Sequence, residues 1–593
     1  MQTENKHWPK WRVIGFFTFG VAAYVYFVIN PSLYVFYCEQ CFFFDGHLIR
    51  PFLAYPGGPL ALADVFLSQF YYLRWAGTLL IVCLVLNLIL LTNNLFVRLF
   101  DTRNFYVYSF IPACLLLALH QSYGHPVATD VGLLLSIYFF NCTIRFHRRS
   151  WVGYAGFFLF LGGLLYYVAG GYFFLFGILC AIYEILVLRR WQTGISAFIS
   201  LIVLVAFSST LQRTWLFPLS LGTSYAWNLL PYGLLLFFSL VVFLSPLAKR
   251  LPVNTIIRHW IAGSLVAGSC VLIFFTQDRT IRNTLLIDQY AETGQWQRVV
   301  RQFEKYPTED WVATFQMHRA LYHEGRLLEG LFRYPQTGRI DGLLLPNRVA
   351  YKAPLQNSEF WLACGHLNEA QHWAHEALAI QGETGRVLQQ LAVIYQRQHH
   401  FQAAEKCLCR LEQSLMFKRW ARDQRRLMAS NREKTVQEKG GLQVDFIVHP
   451  VYPENDLEHL VREQPENRMA FEYWMACQLL MGKHRDIKDS IRQFRLFGFS
   501  RLPKPIEEAL ILDEVMSGNR GMNLCGYSFD KKTVRDFYQM QKIVKQYQHD
   551  AETLKTKFRE SFGQTYWYYA LMVNPNNQAV RNVDAATQAT HKM

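Results

Sequence analysis

The feature that most limits how this chain can fold is an abrupt change of patterning near position 276. From Trp11 to Phe275 apolar residues come in long runs broken by short basic clusters; beyond Thr276 a charged residue recurs every few positions. The chain therefore meets two solvents. An α-helix needs about 20 largely apolar residues to cross a hydrocarbon core of about 30 Å, and a single helix satisfies all its own backbone groups there. The runs predict nine spans, at 13–30, 74–93, 104–120, 129–143, 151–168, 171–188, 194–211, 229–247 and 258–276. As one helix, Trp151–Leu188 would run about 57 Å at 1.5 Å per residue. Ala169-Gly170-Gly171 is therefore read as a tight turn between two spans. Glu184, the one acidic residue in Trp151–Leu188, lies about a turn from Arg189 and Arg190 and is expected to snorkel to the interface.

Charge orients the spans. The formal net charge is +15, and residues 1–276 hold 16 Lys+Arg against 7 Asp+Glu, leaving 43 against 37 for the rest. Alternate loops carry Lys6, Lys10 and Arg12; Arg98 and Arg103; Arg145, Arg148 and Arg149; Arg189 and Arg190; Lys249, Arg250 and Arg258. Against these 13, the other loops carry only Arg50, Arg74 and Arg213. The positive-inside rule then places the N-terminus in the cytoplasm and the C-terminal part outside, in the periplasm. The same bias accounts for the basic excess without nucleic acid. The first apolar stretch ends in bulky residues with no small-x-small cleavage site close behind, so it reads as a retained span.

The first outward loop, residues 30–73, has few charges and many aromatics, the pattern of short amphipathic helices in the interface. Pro56-Gly57-Gly58-Pro59 predicts a sharp turn between two such helices. Its acidic residues are Glu39, Asp45 and Asp64. Cys38-x-x-Cys41 has a redox-like spacing without a surrounding βαβ pattern, so a local disulfide or two free thiols are the readings left. In the second outward loop His120 and His125 precede Asp130, two imidazoles near one carboxylate. Such a set binds a metal or a phosphate, or simply sits at the interface; no metal is assigned from the spacing. Arg213 is the basic outward candidate for a pyrophosphate.

Residues 277–593 read as short amphipathic helices. Trp361-Leu362-Ala363-Cys364-Gly365-His366-Leu367-Asn368-Glu369-Ala370 aligns with Tyr395-Gln396-Arg397-Gln398-His399-His400-Phe401-Gln402-Ala403-Ala404 at an offset of 34 residues, the period of tetratricopeptide helix pairs. Looser copies stand at Gly294-Gln295-Trp296, Gly325-Arg326-Leu327 and Gly482-Lys483-His484. A domain of this type binds a peptide or protein partner on a concave face. No phosphate loop, nucleophile elbow or His-Glu-x-x-His run occurs in it.

The Glu39-Gln40 pair, the Pro56-Gly57-Gly58 turn and the Phe66-Leu67-Ser68-Gln69-Phe70 stretch resemble a family of uncharacterised bacterial multi-pass membrane proteins with this two-part layout. The layout also resembles the GT-C-type glycosyltransferases, which take sugars from polyprenyl-phosphate donors. That second resemblance implies that Glu39 or Asp45 acts as base or metal ligand. It further implies that Gln40, His120, His125 and Arg213 bind substrate, and that a divalent metal enters only with transferase chemistry. The sequence thus describes an all-α chain, with a polytopic bundle over 1–276 and a tetratricopeptide-like domain over 277–593. Its expected role is an inner-membrane protein presenting an interaction domain to an envelope protein or peptide, without a cofactor; the alternative is a GT-C-like transferase using a lipid-linked sugar.

Overall fold

The computed structural model describes residues 10–37, 41–100, 103–145, 151–191, 230–250, 255–435, 452–518 and 523–574. Among them every regular element is a helix, and the only β pairing is an isolated bridge between Phe43 and Ser414. The chain divides into two compact units. The first comprises 1–279 with two short returns, 383–385 and 409–423; the second holds the remainder from Thr280 onward. Those returns are something a single cut in the sequence does not anticipate.

In the first unit, α1 (Lys10–Tyr24) runs into a wider turn over Val25–Ile29 that ends at Asn30, whose φ of 55° closes the helix. Short helices α2 (Leu33–Tyr37), α3 (Gly46–Leu53) and α4 (Gly58–Ser68) follow, and then the long α5 (Arg74–Phe100). Next come α6 (Phe110–Leu119), α7 (Val127–Arg145), α8 (Trp151–Ala169), α9 (Tyr172–Ile182), α10 (Leu230–Arg250) and α11 (Thr255–Phe275). Helix α5 packs against α7, α7 against α9, and α6 against α11. Polar pegs fix these crossings: Ser136 Oγ donates to the Tyr172 carbonyl at 2.9 Å, and the Arg98 guanidinium donates to the Asn141 carbonyl.

Among the described residues, three helical stretches are long and apolar enough to cross a membrane: Trp11–Tyr37, Arg74–Phe100 and Val127–Arg145. A fourth candidate is the pair Trp260–Phe275 and Arg279–Glu292, bent by 55°. The apolar helices Tyr106–Leu119, Gly156–Ala169, Tyr172–Val187 and Gly233–Leu247 are shorter. The 194–211 run lies outside the described residues. Large apolar side chains point away from the protein on the first and last of these helices, Phe16 and Phe275 each 82% exposed, a surface suited to lipid and costly in water. Glu184, expected to snorkel, has a fully buried side chain.

Two expected turns meet. Gly57 and Gly170 both adopt positive φ, 85° and 56°. The Gly57 N–H donates to the Tyr167 carbonyl at 2.8 Å, and Tyr167 Oη donates to the Leu53 carbonyl at 3.0 Å. The break between α8 and α9 thus receives the turn between α3 and α4, and neither glycine has room for a side chain.

The second unit is a succession of helix–turn–helix pairs. Its core includes the fully buried rings of Phe315, Phe360, Trp361, Tyr473, Tyr566 and Trp567. A charged network lies within it: Arg386 reaches Asp288, Glu292 and Glu359 at 3.4, 2.9 and 3.2 Å, and Arg319 reaches Glu359 at 3.1 Å. The turns share one construction. A left-handed residue at Gly294, Gly325, Gly365, His399 and Gly482 ends each first helix. The next residue's N–H then donates to the carbonyl five positions back: Gln295 to Tyr290, Arg326 to Leu321, His366 to Trp361, His400 to Tyr395 and Lys483 to Gln478, all within 2.8–3.0 Å. This is the Schellman closure, which satisfies carbonyls that a helix end leaves bare.

Candidate functional site

The loop between α6 and α7, His120-Gln121-Ser122-Tyr123-Gly124-His125-Pro126, is strapped to the end of the first helix. Tyr123 Oη donates to the Ile29 carbonyl at 2.9 Å, and the Gln121 amide donates to Tyr24 Oη. Gly124 lies against Tyr37, whose ring would be 2.9 Å from a Cβ there. Pro126 presets the backbone for entry into α7.

These constraints bring three side chains together. His120 Nε2 lies 2.9 Å from Asp130 Oδ2, and His125 Nε2 lies 2.7 Å from Asp130 Oδ1. The two imidazoles stand nearly perpendicular, with centroids 4.9 Å apart. His120 and Asp130 are fully buried, and the His125 side chain is 6% exposed. The candidate donor atoms of all three lie within 4.8 Å of one another, a cluster that one ion with bonds of about 2.0–2.2 Å can gather.

Around the trio sits a second set of groups. Tyr34 Oη donates to the His120 carbonyl at 2.5 Å and lies 3.1 Å from His120 Nδ1. Its ring stacks on Tyr71 at 4.5 Å and meets Tyr123 edge-on at 5.3 Å. Asp64, from α4, accepts the Ala128 N–H at 2.9 Å and so caps the start of α7 from outside that helix. Burial pushes the Asp64 carboxyl up; the Ala128 N–H and nearby His125 pull it back down. The arrangement offers two chemistries: a site for a cation bound by two nitrogens and a carboxylate, and a hydrogen-bonded relay from Asp130 through His120 to Tyr34.

The expected site residues have separate fates. His120 and His125 are brought together, with Asp130. Asp45 shares no hydrogen bond or ion pair with them. It caps α3 through the His47 N–H at 3.1 Å and pairs with Arg410 at 3.0 Å. That N–H, and after it the Arg410 guanidinium, hold the carboxyl below the usual range. Glu39, Gln40 and Arg213 lie outside the described residues, as does Cys38; Cys41 is buried. The contributions of Tyr34 and Asp64 carry no local sequence signal, because they come from elements 86 and 64 residues away from their partners.

No curated protein and no solved structure matches the chain. A family model does, over residues 6–573, and the chain belongs to that family, described as Family of unknown function (DUF6057).

Proposed function

We propose that the chain is an integral membrane protein of the cell envelope that presents a helical-repeat interaction domain on the extracytoplasmic face. The observation that carries this reading is the recurrence of one Schellman turn at 294, 325, 365, 399 and 482. A repeated closure at each helix end stacks helix pairs so that each buries its neighbour's apolar face, the construction of tetratricopeptide-like arrays. The odd number of spans expected from hydropathy and the 13-to-3 distribution of basic loop residues support an N-terminus in the cytoplasm and a C-terminal domain in the periplasm. A peptide or an envelope protein is the class of partner such a surface takes.

Two measurements test it on the full chain. Protease added to intact spheroplasts should digest the C-terminal unit; a protected unit that becomes sensitive only after lysis would refute the orientation. Photo-crosslinkers placed on exposed positions of that unit, such as Tyr538 and Leu427, should then trap a discrete envelope partner. An array of non-specific products would count against a recruiting role.

A GT-C-like transferase is the second reading, favoured by the folding of the first loop into the short helices α3 and α4 between two membrane-competent helices. With Asp45 engaged by its cap and by Arg410, the base in that scheme is Glu39. Glu39→Gln should then abolish sugar transfer from a lipid-linked donor while leaving insertion intact.

A further inference from the structure

We infer that His120, His125 and Asp130 form a binding site for one divalent transition-metal ion of the zinc class. The argument begins with proton positions around Tyr34. Its single hydroxyl hydrogen is committed to the His120 carbonyl by the 2.5 Å contact. The other neighbour of that oxygen, His120 Nδ1 at 3.1 Å, is then placed to donate to it. With its proton on Nδ1, a neutral His120 turns a bare Nε2 lone pair toward Asp130 Oδ2, 2.9 Å away. Two lone pairs do not face each other at that distance without a cation between them.

Either a second proton or a metal ion fills that role, and the surroundings favour the metal. A second imidazole converges on the other carboxylate oxygen at 2.7 Å, and a second carboxylate, Asp64, stands close enough to interact with both Asp130 and His125. With neutral rings the trio carries the negative charge of the buried Asp130 carboxylate, and uncompensated buried charge is expensive. A divalent ion cancels that charge. A phosphate, the other ligand two histidines could take, would meet Asp130 at the centre of the trio and be repelled.

The donor set names the class of ion. Two imidazole nitrogens and one carboxylate suit zinc and its first-row neighbours, whereas calcium and magnesium take all-oxygen shells. The Nδ1–H of His120 directed at Tyr34 is the outer hydrogen bond that metal-bound histidines make almost invariably, fixing the tautomer that ligates. Three protein donors leave one position for an exchangeable ligand, as in open zinc sites.

The test uses the full-length protein in detergent, stripped with chelator and titrated with Co²⁺ and then Zn²⁺. The wild type should take up one equivalent of Co²⁺ with the visible d–d bands of a four- or five-coordinate ion, and Zn²⁺ should erase them. His125→Ala should remove the bands. His125→Asp should keep an ion and shift the bands. Tyr34→Phe should retain the spectrum with affinity weakened roughly 10–100-fold. His125 is chosen because its ring nitrogen bonds Asp130 and its side chain, at 6%, is the most exposed of the three, and wild-type uptake decides the matter even where a variant misfolds. A folded, monodisperse wild type that binds neither ion would overturn the site and assign the second proton to His120. Unchanged bands in His125→Ala would overturn it as well, placing the ion elsewhere in the chain.

Discussion

Arg410 and Asp45 stand 365 residues apart in sequence and 3.0 Å apart in the folded chain, Nη1 to Oδ2. The Arg410 guanidinium also lies 4.1 Å over the ring of Phe43, and the Phe44 N–H donates to the Gln413 carbonyl at 2.9 Å. Asp45 is thus the hub of a short clasp between the 43–45 stretch and the return segment 409–423, both within the first unit. A carboxylate with one oxygen capping a helix and the other facing an arginine is a weak base, so the clasp argues for an architectural role.

That role separates two substitutions at Asp45. Asparagine caps a helix as well as aspartate does, whereas alanine leaves the His47 N–H without its acceptor. Amide exchange at His47 should accelerate severalfold in Asp45→Ala and change little in Asp45→Asn, measured in the full-length protein. Equal acceleration in both would shift the weight from the cap to the Arg410 pair.

The Gly57–Gly170 contact makes a sharper prediction. A Cβ on Gly170 would stand 3.2 Å from Gly57 Cα, in a backbone conformation with φ +56. Left-handed strain of about 1–2 kcal/mol and overpacking of about 1–3 kcal/mol add in the same direction. Gly170→Ala should therefore cost about 2–5 kcal/mol, visible as a lowered thermal midpoint in detergent. Gly163→Ala, two turns earlier on α8 with nothing within 4 Å, should carry no such cost. Matching losses would mean that helix α8 as a whole, rather than the contact, is fragile.

Those glycines show what a sequence can disclose. The Ala169-Gly170-Gly171 break and the Pro56–Pro59 turn are legible because each is a local consequence of backbone freedom. That the two turns dock on each other is not, since nothing in either segment encodes its partner. The His120–His125–Asp130 trio divides the same way: the residues lie within eleven positions and can be noticed, but Tyr34 and Asp64 arrive from elsewhere. Span length was the poorer guide. Several apolar runs fold as helices too short to qualify alone, because hydropathy marks where lipid is tolerated and not where a turn or a kink ends a helix.

In the second unit Glu508 should make stability depend on pH. Its side chain is 1% exposed, Oε2 accepts the Tyr566 N–H at 2.7 Å, and burial pushes the carboxyl up to about 7 from an ordinary 4.5. Lys504 at 3.6 Å pulls the other way, but its ammonium is 42% exposed and burial prevails. The folded state then holds a proton that the unfolded state releases between about 4.5 and 7. The stabilisation is complete below about 4.5 and is lost as pH rises through about 7, by up to about 3 kcal/mol. Protection of the Tyr566 and Trp567 amides, corrected for intrinsic exchange, should fall from pH 5 to pH 8. Glu508→Gln, which keeps the acceptor and loses the charge, should flatten that dependence; a parallel curve would assign the titration to another group.

The repeated turns predict substitutions of opposite sign at aligned positions. Gly365 and His399 are 34 residues apart and occupy the same left-handed place, with φ of 83° and 61°. A Cβ at Gly365 would meet only ordinary contacts, the nearest at 3.6 Å, so Gly365→Ala isolates the cost of the backbone conformation, about 1–2 kcal/mol. His399 already bears that strain on an exposed side chain. His399→Gly removes it and gives back about 0.5–1 kcal/mol through the greater entropy of unfolded glycine. The net expectation is a gain of about 0.5–1 kcal/mol for His399→Gly against a loss at Gly365. Amide exchange of His400 and His366, the donors that close the two turns at 2.8 and 2.9 Å, reads each change locally. Destabilisation at both positions would mean that the His399 side chain, through its edge-on contact with Phe401 at 5.8 Å, outweighs the strain it imposes, and that the two turns are alike in form but held by different forces.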